Sequence, residues 1–283
     1  MKKIAGIAFI ACIIGIIGMV FFREDLFAIG DYEKITENKT FDASNIEALD
    51  VAVNVADTTI EQSADSSIHV QLVGKVSERT QKQMKYEVYE EAGTVIIQLN
   101  QTGAQWFNFS ILPSLSFNKL DLVIQLPDKM FKKLMLSSDV AELNILYGDF
   151  QSVNITSDVG DIQIENTKTS QVTIEADDGD IDIENGLGSW EITSDVGDTD
   201  ISLDTWNNDV LIYTNVGEID VELPVLPNQF KMDLASDVGE VETTGIPQSR
   251  EASDDDNVYL EIGADGPLLQ LKSDVGDVGV SVE

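Results

Sequence analysis

One five-residue stretch, Ser157-Asp158-Val159-Gly160-Asp161, recurs through the second half of the chain. Close copies begin at Ser194, Ser236 and Ser273, looser copies begin at Ala176 and Thr214, and a fainter first copy begins at Ser138. Successive copies are separated by 19, 19, 18, 20, 22 and 37 residues. A fixed period near 20 residues is typical of stacked-repeat architectures, in which each repeat packs only on its neighbours.

Apolar residues flank each copy at alternating positions. Positions three and five before the motif Asp or Asn are apolar in all copies, as in Ile155 and Val153. Alternation resumes after the motif glycine, as in Ile162 and Ile164. Apolar residues two apart indicate strands with one buried face. The sequence therefore predicts an all-β fold, a parallel β-solenoid of β-helix-like repeats whose inward residues form apolar columns.

The motif itself predicts a tight corner between two strands. Asp and Asn side chains accept hydrogen bonds from the backbone two residues on, and Gly adopts positive φ without a Cβ clash. We assign a structural turn role to the following residues: Asp139, Asp158, Gly160, Asp177, Gly179, Asp195, Gly197, Asn215, Gly217, Asp237, Gly239, Asp274 and Gly276. Because Asn215 replaces Asp in one copy, a turn role is favoured over a ligand or catalytic role.

The residue after the motif glycine is acidic in six copies, from Asp161 to Asp277. Stacked strands place equivalent residues about 4.8 Å apart. Repulsion at that separation is about 0.9 kcal/mol per adjacent pair in unscreened water. Burial of apolar side chains, at about 1.5–3 kcal/mol each, exceeds this cost. We therefore expect this acidic column to be tolerated, at a small cost in stability.

The N-terminus predicts a membrane anchor. Lys2 and Lys3 precede the uncharged apolar run of residues 4–22, which is followed by Arg23. As a helix this run reaches about 28 Å, close to the hydrocarbon thickness. A cleaved signal peptide is the alternative, but its apolar core is usually shorter and ends in small residues. The charge asymmetry predicts a cytoplasmic N-terminus and an extracytoplasmic remainder.

Composition divides the chain further. We predict a cytoplasmic tip and transmembrane anchor at 1–23, a polar stalk at 24–40, a β-rich N-terminal cap at 41–130 and acidic solenoid repeats at 131–283. Ser77 to Met84 has the pattern of one or two helical turns. Residues 137–283 hold 34 acidic and 4 basic residues, which disfavours nucleic acid and anionic lipid as partners. Cations and basic proteins or peptides fit this charge.

Few residue types suited to catalysis or metal binding are present. The chain has one Cys and one His, so Cys clusters, a catalytic triad and a His-based zinc site are excluded. We expect no catalytic residue, cofactor or metal site. The acidic run Asp254–Asp256 belongs to an insertion between the last two coils, and its spacing matches neither an EF-hand nor a calcium nonapeptide.

Two further features concern contacts. Trp106, Phe107 and Phe109 lie in the most apolar stretch outside the anchor, which either packs over the solenoid end or contacts a partner. The chain stops directly after the last corner, at Gly279–Glu283, so we expect the last coil to be an open edge. Either the insertion and the repeat charge protect this edge, or two edges pair in a weak homodimer.

These motifs and this layout resemble a known family. The anchor, the β-rich segment ending at Leu126-Pro127 and the Ser-Asp-Val-Gly-Asp repeats are similar to the bacterial "putative adhesin" domain family of unknown function. The single-span layout is similar to the LiaG-like membrane proteins of Gram-positive cell-envelope stress operons. The resemblance implies a β-solenoid or β-roll, an extracytoplasmic surface role and no catalytic residues.

The sequence thus leaves three functions open. The first is a non-enzymatic, membrane-anchored scaffold that binds an envelope protein or cationic peptide. The second is a cation-binding surface module. The third is a carbohydrate-active enzyme, for which two outward acids such as Asp180 and Asp182 would serve as the carboxylate pair.

Overall fold

The computed structural model describes residues 32–101, 119–246, 253–254 and 257–282. Within these ranges the chain forms two long, stacked β-sheets, one of eleven strands and one of twelve. Sheet A contains β1 (Tyr32–Asp42), β3 (Asp57–Gln62), β4 (Ser67–Ser77), β7 (Lys119–Leu126), β9 (Leu143–Ile145), β11 (Ile162–Glu165), β13 (Ile181–Gly186), β15 (Thr199–Leu203), β17 (Ile219–Leu223), β19 (Val241–Thr244) and β23 (Val278–Val282).

Sheet B contains the strands that precede the corners and further strands at its two ends. They are β2 (Ala48–Val53), β5 (Met84–Glu91), β6 (Thr94–Gln101), β8 (Phe131–Val140), β10 (Gly148–Val159), β12 (Thr167–Asp178), β14 (Ser189–Val196), β16 (Val210–Val216), β18 (Phe230–Ser236), β20 (Ser253–Asp254), β21 (Asn257–Ile262) and β22 (Leu268–Val275). Helical structure in the described residues is limited to a 3₁₀ turn, Ala43–Asn45, and helix α1, Glu78–Gln83. Helix α1 confirms the helical turns predicted between Ser77 and Met84, and the Ser77 side chain caps it by accepting from the Thr80 amide at 3.2 Å.

Each repeat is one coil: a strand of sheet B, a corner and a strand of sheet A. Neighbouring coils pair in parallel and in the register that the motif alignment predicts, with Val153 beside Leu134 and Val172. The predicted inward residues of the coils from 131 to 223 are buried between the sheets. Phe131, Phe150 and Trp190 are among the largest fully buried side chains. The parallel solenoid-like repeat is therefore confirmed.

The N-terminal part continues this solenoid. Strands β2 and β3 pair in parallel with β8 and β9, so residues 48–62 form an ordinary coil. Antiparallel strands complete this end: β5 beside β6, and β4 and β1 beside β7. Residues 32–40, expected to belong to a polar stalk, instead form most of β1, because all eleven residues of that strand pair with β4.

Coils do not stack in sequence order at either end. The coil of β2 and β3 lies between that of β6 and β7 and that of β8 and β9. Likewise β22 lies between β16 and β18, and β23 lies between β17 and β19. At the N-terminal end the outer coil, β6 and β7, follows its inner neighbour in the chain. At the C-terminal end the outer coil, β18 and β19, precedes its inner neighbour.

The C-terminal coil is therefore not the open edge that the sequence suggested. The long step between the last two motif copies lets the chain build the outer coil of β18 and β19 first. The chain then forms β20 and β21, which are antiparallel to each other and lie beyond β18. It returns as β22 and β23, which occupy the position between the coil of β16 and β17 and the outer coil. On sheet A the outermost described strand is β19, whose four residues are too short to offer a long pairing edge.

Candidate functional site

The corners place the five motif residues in distinct environments. In the copy from Ser157 to Asp161, the Ser is buried, while Asp158, Val159 and Asp161 are exposed. Gly160 has a φ of 135°, and the corresponding glycines 179, 197, 217 and 276 have φ between 141° and 157°. The positive φ predicted for the motif glycines is thus present at these five positions and absent at Gly239, in the outermost coil.

Close stacking is a second reason for glycine. A Cβ built on Gly217 would lie 2.0 Å from the carbonyl oxygen of Gly197, and one on Gly276 would lie 2.0 Å from that of Gly217. The obstacle is backbone, which cannot rotate away. Ala141 precedes Gly160 in this column, and its carbonyl oxygen faces Gly160 at 2.1 Å from the built Cβ. The fainter first motif therefore carries Ala where later copies need Gly.

The motif aspartates differ from the expected Asx turn. In five copies the amide two residues beyond the motif Asp or Asn is that of the glycine, and it donates to a backbone carbonyl of the adjacent coil. These bonds join Gly160 to Asp178, Gly179 to Val196, Gly197 to Val216, Gly217 to Val275 and Gly276 to Val238, at 2.8–3.1 Å. Ladder bonds between coils thus take the amides that the Asx turn requires.

Motif Asp and Asn side chains instead meet their counterparts in adjacent coils. The Asn215 side-chain amide donates to Asp195 Oδ1 at 2.8 Å, and Asn54 donates in the same way to Asp139. The Tyr213 hydroxyl donates to Asp274 Oδ2 at 3.0 Å. The motif side chains therefore form an exposed row along the corner, and Asn within that row relieves repulsion.

The acidic residue after the motif glycine accepts a hydrogen bond from a backbone amide of the adjacent coil, a role that the sequence did not predict. Asp198 Oδ1 accepts from the Glu218 amide at 2.8 Å, in the adjacent coil. The same bond joins Asp57 to the Glu142 amide, Asp161 to the Asp180 amide, Asp180 to the Asp198 amide and Asp277 to the Glu240 amide, at 2.8–3.3 Å. In the described chain, Glu142 and Glu218 occupy this column without accepting the equivalent bond.

Outward side chains of sheet A form a continuous acidic face. We define this acidic face as Asp182, Glu184, Asp200, Asp220, Glu222 and Glu242. Asp182, Asp200 and Asp220 are direct neighbours on β13, β15 and β17. The strands β9, β11, β13, β15, β17, β19 and β23 contain no Lys or Arg. The charge on this face is therefore not neutralised within its own strands.

Mutual repulsion and partial burial alter the titration of this face. Burial raises the pKa of Asp182 above its ordinary value, and the charges of Asp180, Asp161 and Glu184 raise it further. Burial likewise raises the pKa of Asp200, followed by the charges of Asp220 and Asp182. Protonation or a nearby positive charge would relieve this repulsion.

The acidic face lines an open groove of about 610 Å³. Asp182, Asp200, Asp220 and Glu242 contribute to its wall, and Gly279 of the intercalated β23 leaves part of its floor bare. Because this groove is open to solvent and lined by carboxylates, it fits an exposed segment of a partner better than an enclosed small molecule.

Sheet B has a different charge arrangement. Lys272 lies 3.2 Å from Asp233, and Lys231 lies 3.1 Å from Glu261 on the neighbouring strand β21. Lys168 lies beside Asp149 in the register of β12 and β10. The basic residues of the described repeats thus lie on sheet B, whereas the acids of these sheet A strands have no basic residue within the same strands.

Several sequence expectations fall elsewhere. Trp106, Phe107 and Phe109, the anchor at 4–22 and Asp255 and Asp256 of the insertion lie outside the described residues. In the described part of the chain, no helix has the length and apolarity of a transmembrane span. In the same residues, no three His, Cys, Asp or Glu side chains are grouped so as to hold a metal ion.

The repeats of this chain are found in a known protein family. The sequence matches the family described as Toastrack DUF4097 over two overlapping segments, residues 46–146 and 134–281. The chain belongs to the Toastrack DUF4097 family. The overlap of the two Toastrack segments falls on β8 and β9, in the uninterrupted middle of the stack. No curated protein matches the sequence.

Solved structures with similar folds come from several bacteria. A "putative cell adhesion protein" from Clostridium sporogenes is 16% identical, with 89% of this chain and 100% of that chain covered and a TM-score of 0.43. A "putative adhesin" from Bacteroides fragilis is 14% identical, with 89% and 98% covered and a TM-score of 0.44. A "putative lipid binding protein" from Parabacteroides distasonis is 12% identical, with 86% and 96% covered and a TM-score of 0.35.

Proposed function

We propose that this protein is a membrane-anchored extracytoplasmic scaffold whose acidic face binds a basic protein or cationic peptide, and that it is not an enzyme. The observation that carries the proposal is the uncompensated row of carboxylates on sheet A. The raised pKa values of Asp182 and Asp200, caused first by burial and then by the charges of neighbouring acids, support it, because a positively charged partner would offset both effects.

The rigid repeat suits such a role. Each coil presents the same positions about 4.8 Å apart, so the carboxylates are arranged in straight rows along the open groove. Electrostatic complementarity of this kind accelerates association and selects partners by charge. The resemblance to LiaG-like proteins connects the scaffold with the response to cell-envelope stress, and the lysines before the apolar run support the extracytoplasmic orientation.

Topology is tested in intact protoplasts. Protease added from outside should digest residues 24–283, and the purified protein should retain its original N-terminus. Protection of the domain, or an N-terminus beyond residue 20, would contradict the anchored scaffold.

Ligand class is tested by isothermal titration of the full chain in non-ionic detergent, first with calcium and then with an oligo-lysine peptide. We expect peptide binding that weakens as salt screens the acidic face. Calcium binding without peptide binding would instead support the cation-binding module. Cleavage of a cell-wall polysaccharide by the purified chain would support the enzyme.

A further inference from the structure

The motif valine leaves an exposed apolar row along the corner. We define the valine row, in stacking order, as Val140, Val159, Val196, Val216, Val275 and Val238. Each of these side chains is between 44% and 65% exposed. Val159 is the register neighbour of Val140, and Val216 is the neighbour of both Val196 and Val275. Asp178 takes the place between Val159 and Val196.

Acidic rows border the valine row on both sides. On the sheet B side lie the motif side chains, such as Asp158 and Asp195, and on the sheet A side lie the acids after the glycine, such as Asp161 and Asp198. An apolar stripe between two acidic stripes is complementary to an apolar stripe between two basic ones. A second copy of this chain and an anionic bilayer would both be repelled by the flanking rows.

Spacing favours a helix over a strand as the bound segment. Valines in adjacent coils lie about 4.8 Å apart. An α-helix presents one side of its surface once per turn, about every 5.4 Å. A strand presents the same face about every 6.6 Å, which loses register after one or two coils. Seven coil positions, including Asp178, span about 29 Å, the length of about 19 helical residues.

We propose that the valine row is the docking surface for a basic amphipathic helix with an aliphatic stripe. The inference rests on the basic partner of the proposed function and adds a second contact surface with its own recognition chemistry. Aliphatic side chains of the helix contact the valines, and lysines or arginines on either side contact the two acidic rows.

The test compares two 19-residue peptides of identical Lys and Leu composition. One has its leucines on a single helical face, and the other is a scrambled sequence without that face. Binding to the full chain in non-ionic detergent is measured by fluorescence anisotropy, with the wild type and with Val196→Ser/Val216→Ser. The matched control is Val225→Ser, because Val225 is 67% exposed but lies outside the valine row.

We expect the amphipathic peptide to bind wild type at least tenfold more tightly than the scrambled one. Val196→Ser/Val216→Ser should remove most of that difference, and Val225→Ser should preserve it. Equal binding of both peptides, or no effect of the double substitution, would overturn the valine row while leaving charge-based binding intact. If neither peptide binds, the proposed function fails with it.

Discussion

At the scale of single residues, Asp195 and Asp198 belong to the same corner but make different kinds of hydrogen bond. Asp195 lies in the exposed motif row, where its Oδ1 accepts a hydrogen bond from the side-chain amide of Asn215. Asp198 accepts a backbone amide from the next coil and so links two coils beside the regular ladder. The column after the glycine therefore carries both a repulsion and a bond, and the bond explains why Asp recurs there.

The difference can be measured by alanine substitution. Asp198→Ala removes the acceptor of the Glu218 amide and should cost about 1 kcal/mol of unfolding free energy. Asp195→Ala should change stability by no more than about 0.5 kcal/mol, as is usual for exposed sites. Asp198→Asn keeps an acceptor oxygen and serves as the control. Urea unfolding measures all three, and equal losses for the two alanine variants would contradict the assignment.

The converse substitution is Glu218→Asp. Asp is the residue that accepts the neighbouring amide elsewhere in the column, and the next coil presents the Asp277 amide at this point. We expect a gain of about 0.5–1 kcal/mol, the usual value of one added hydrogen bond. Glu222→Asp, on the acidic face, shortens a glutamate by the same methylene and should not stabilise the fold. Unfolding curves that show no difference between the two variants would count against the bond.

The acidic face predicts a pH dependence. Since the folded-state pKa of Asp200 is raised, its ionisation opposes folding above that pKa, and the penalty disappears as the pH falls through it towards the unfolded value of 3.8. Asp200→Asn should therefore stabilise the protein at pH 7, by up to about 1 kcal/mol after screening, and the gain should shrink as the pH is lowered. Glu191→Gln on sheet B is the charge-matched control. A gain that grows on acidification would contradict this account.

At the scale of elements, the intercalated C-terminal coil is the distinctive feature. The outer coil of β18 and β19 contacts the rest of the stack through β22 and β23. The loop that leads into β22 is fixed by the Asp209 side chain, which accepts from the Leu268 amide at 2.8 Å. The final coil thus holds in place a coil that precedes it in sequence.

Gly276→Ala tests this dependence. The added Cβ would meet the Gly217 carbonyl oxygen at 2.0 Å, and the φ of 149° is strained for Ala, so we expect a loss of at least about 2 kcal/mol. Hydrogen exchange should accelerate in β18 and β19 as well as in β22 and β23. At Gly279 the nearest obstacle is the movable Asp220 carboxylate, so Gly279→Ala is the mild control. Retained protection in β18 and β19 would show that the outer coil is independent.

At the scale of the whole molecule, the stack separates two kinds of surface. Seven neighbouring strands of sheet A contain no basic residue and five of them carry acids, whereas on sheet B Lys231 and Lys272 pair with Glu261 and Asp233. The corner between them adds the exposed valine row. This arrangement gives the molecule one face and one edge suited to a basic partner.

Periodicity predicted the parts of this fold that depend on burial. The inward columns and glycine corners follow from the alternation of apolar residues and from the conformational freedom of glycine. Stacking order could not be predicted, because the repeats share one motif and one apolar pattern, so that each coil offers nearly the same edge to a neighbour. The bonding role of Asp198 was also missed, because composition does not show which of two nearby carboxylates faces an amide.

The central claim is that the acidic face of sheet A binds a basic partner. The most direct measurement is the affinity of the full chain for an unstructured oligo-lysine peptide at low salt. Asp200→Asn/Asp220→Asn removes two charges from the acidic face, and Glu175→Gln/Glu191→Gln removes two exposed charges from sheet B. We predict that the first pair weakens binding by at least about fivefold and the second by less than about twofold. Equal weakening by both pairs, or none by the first, would contradict the account.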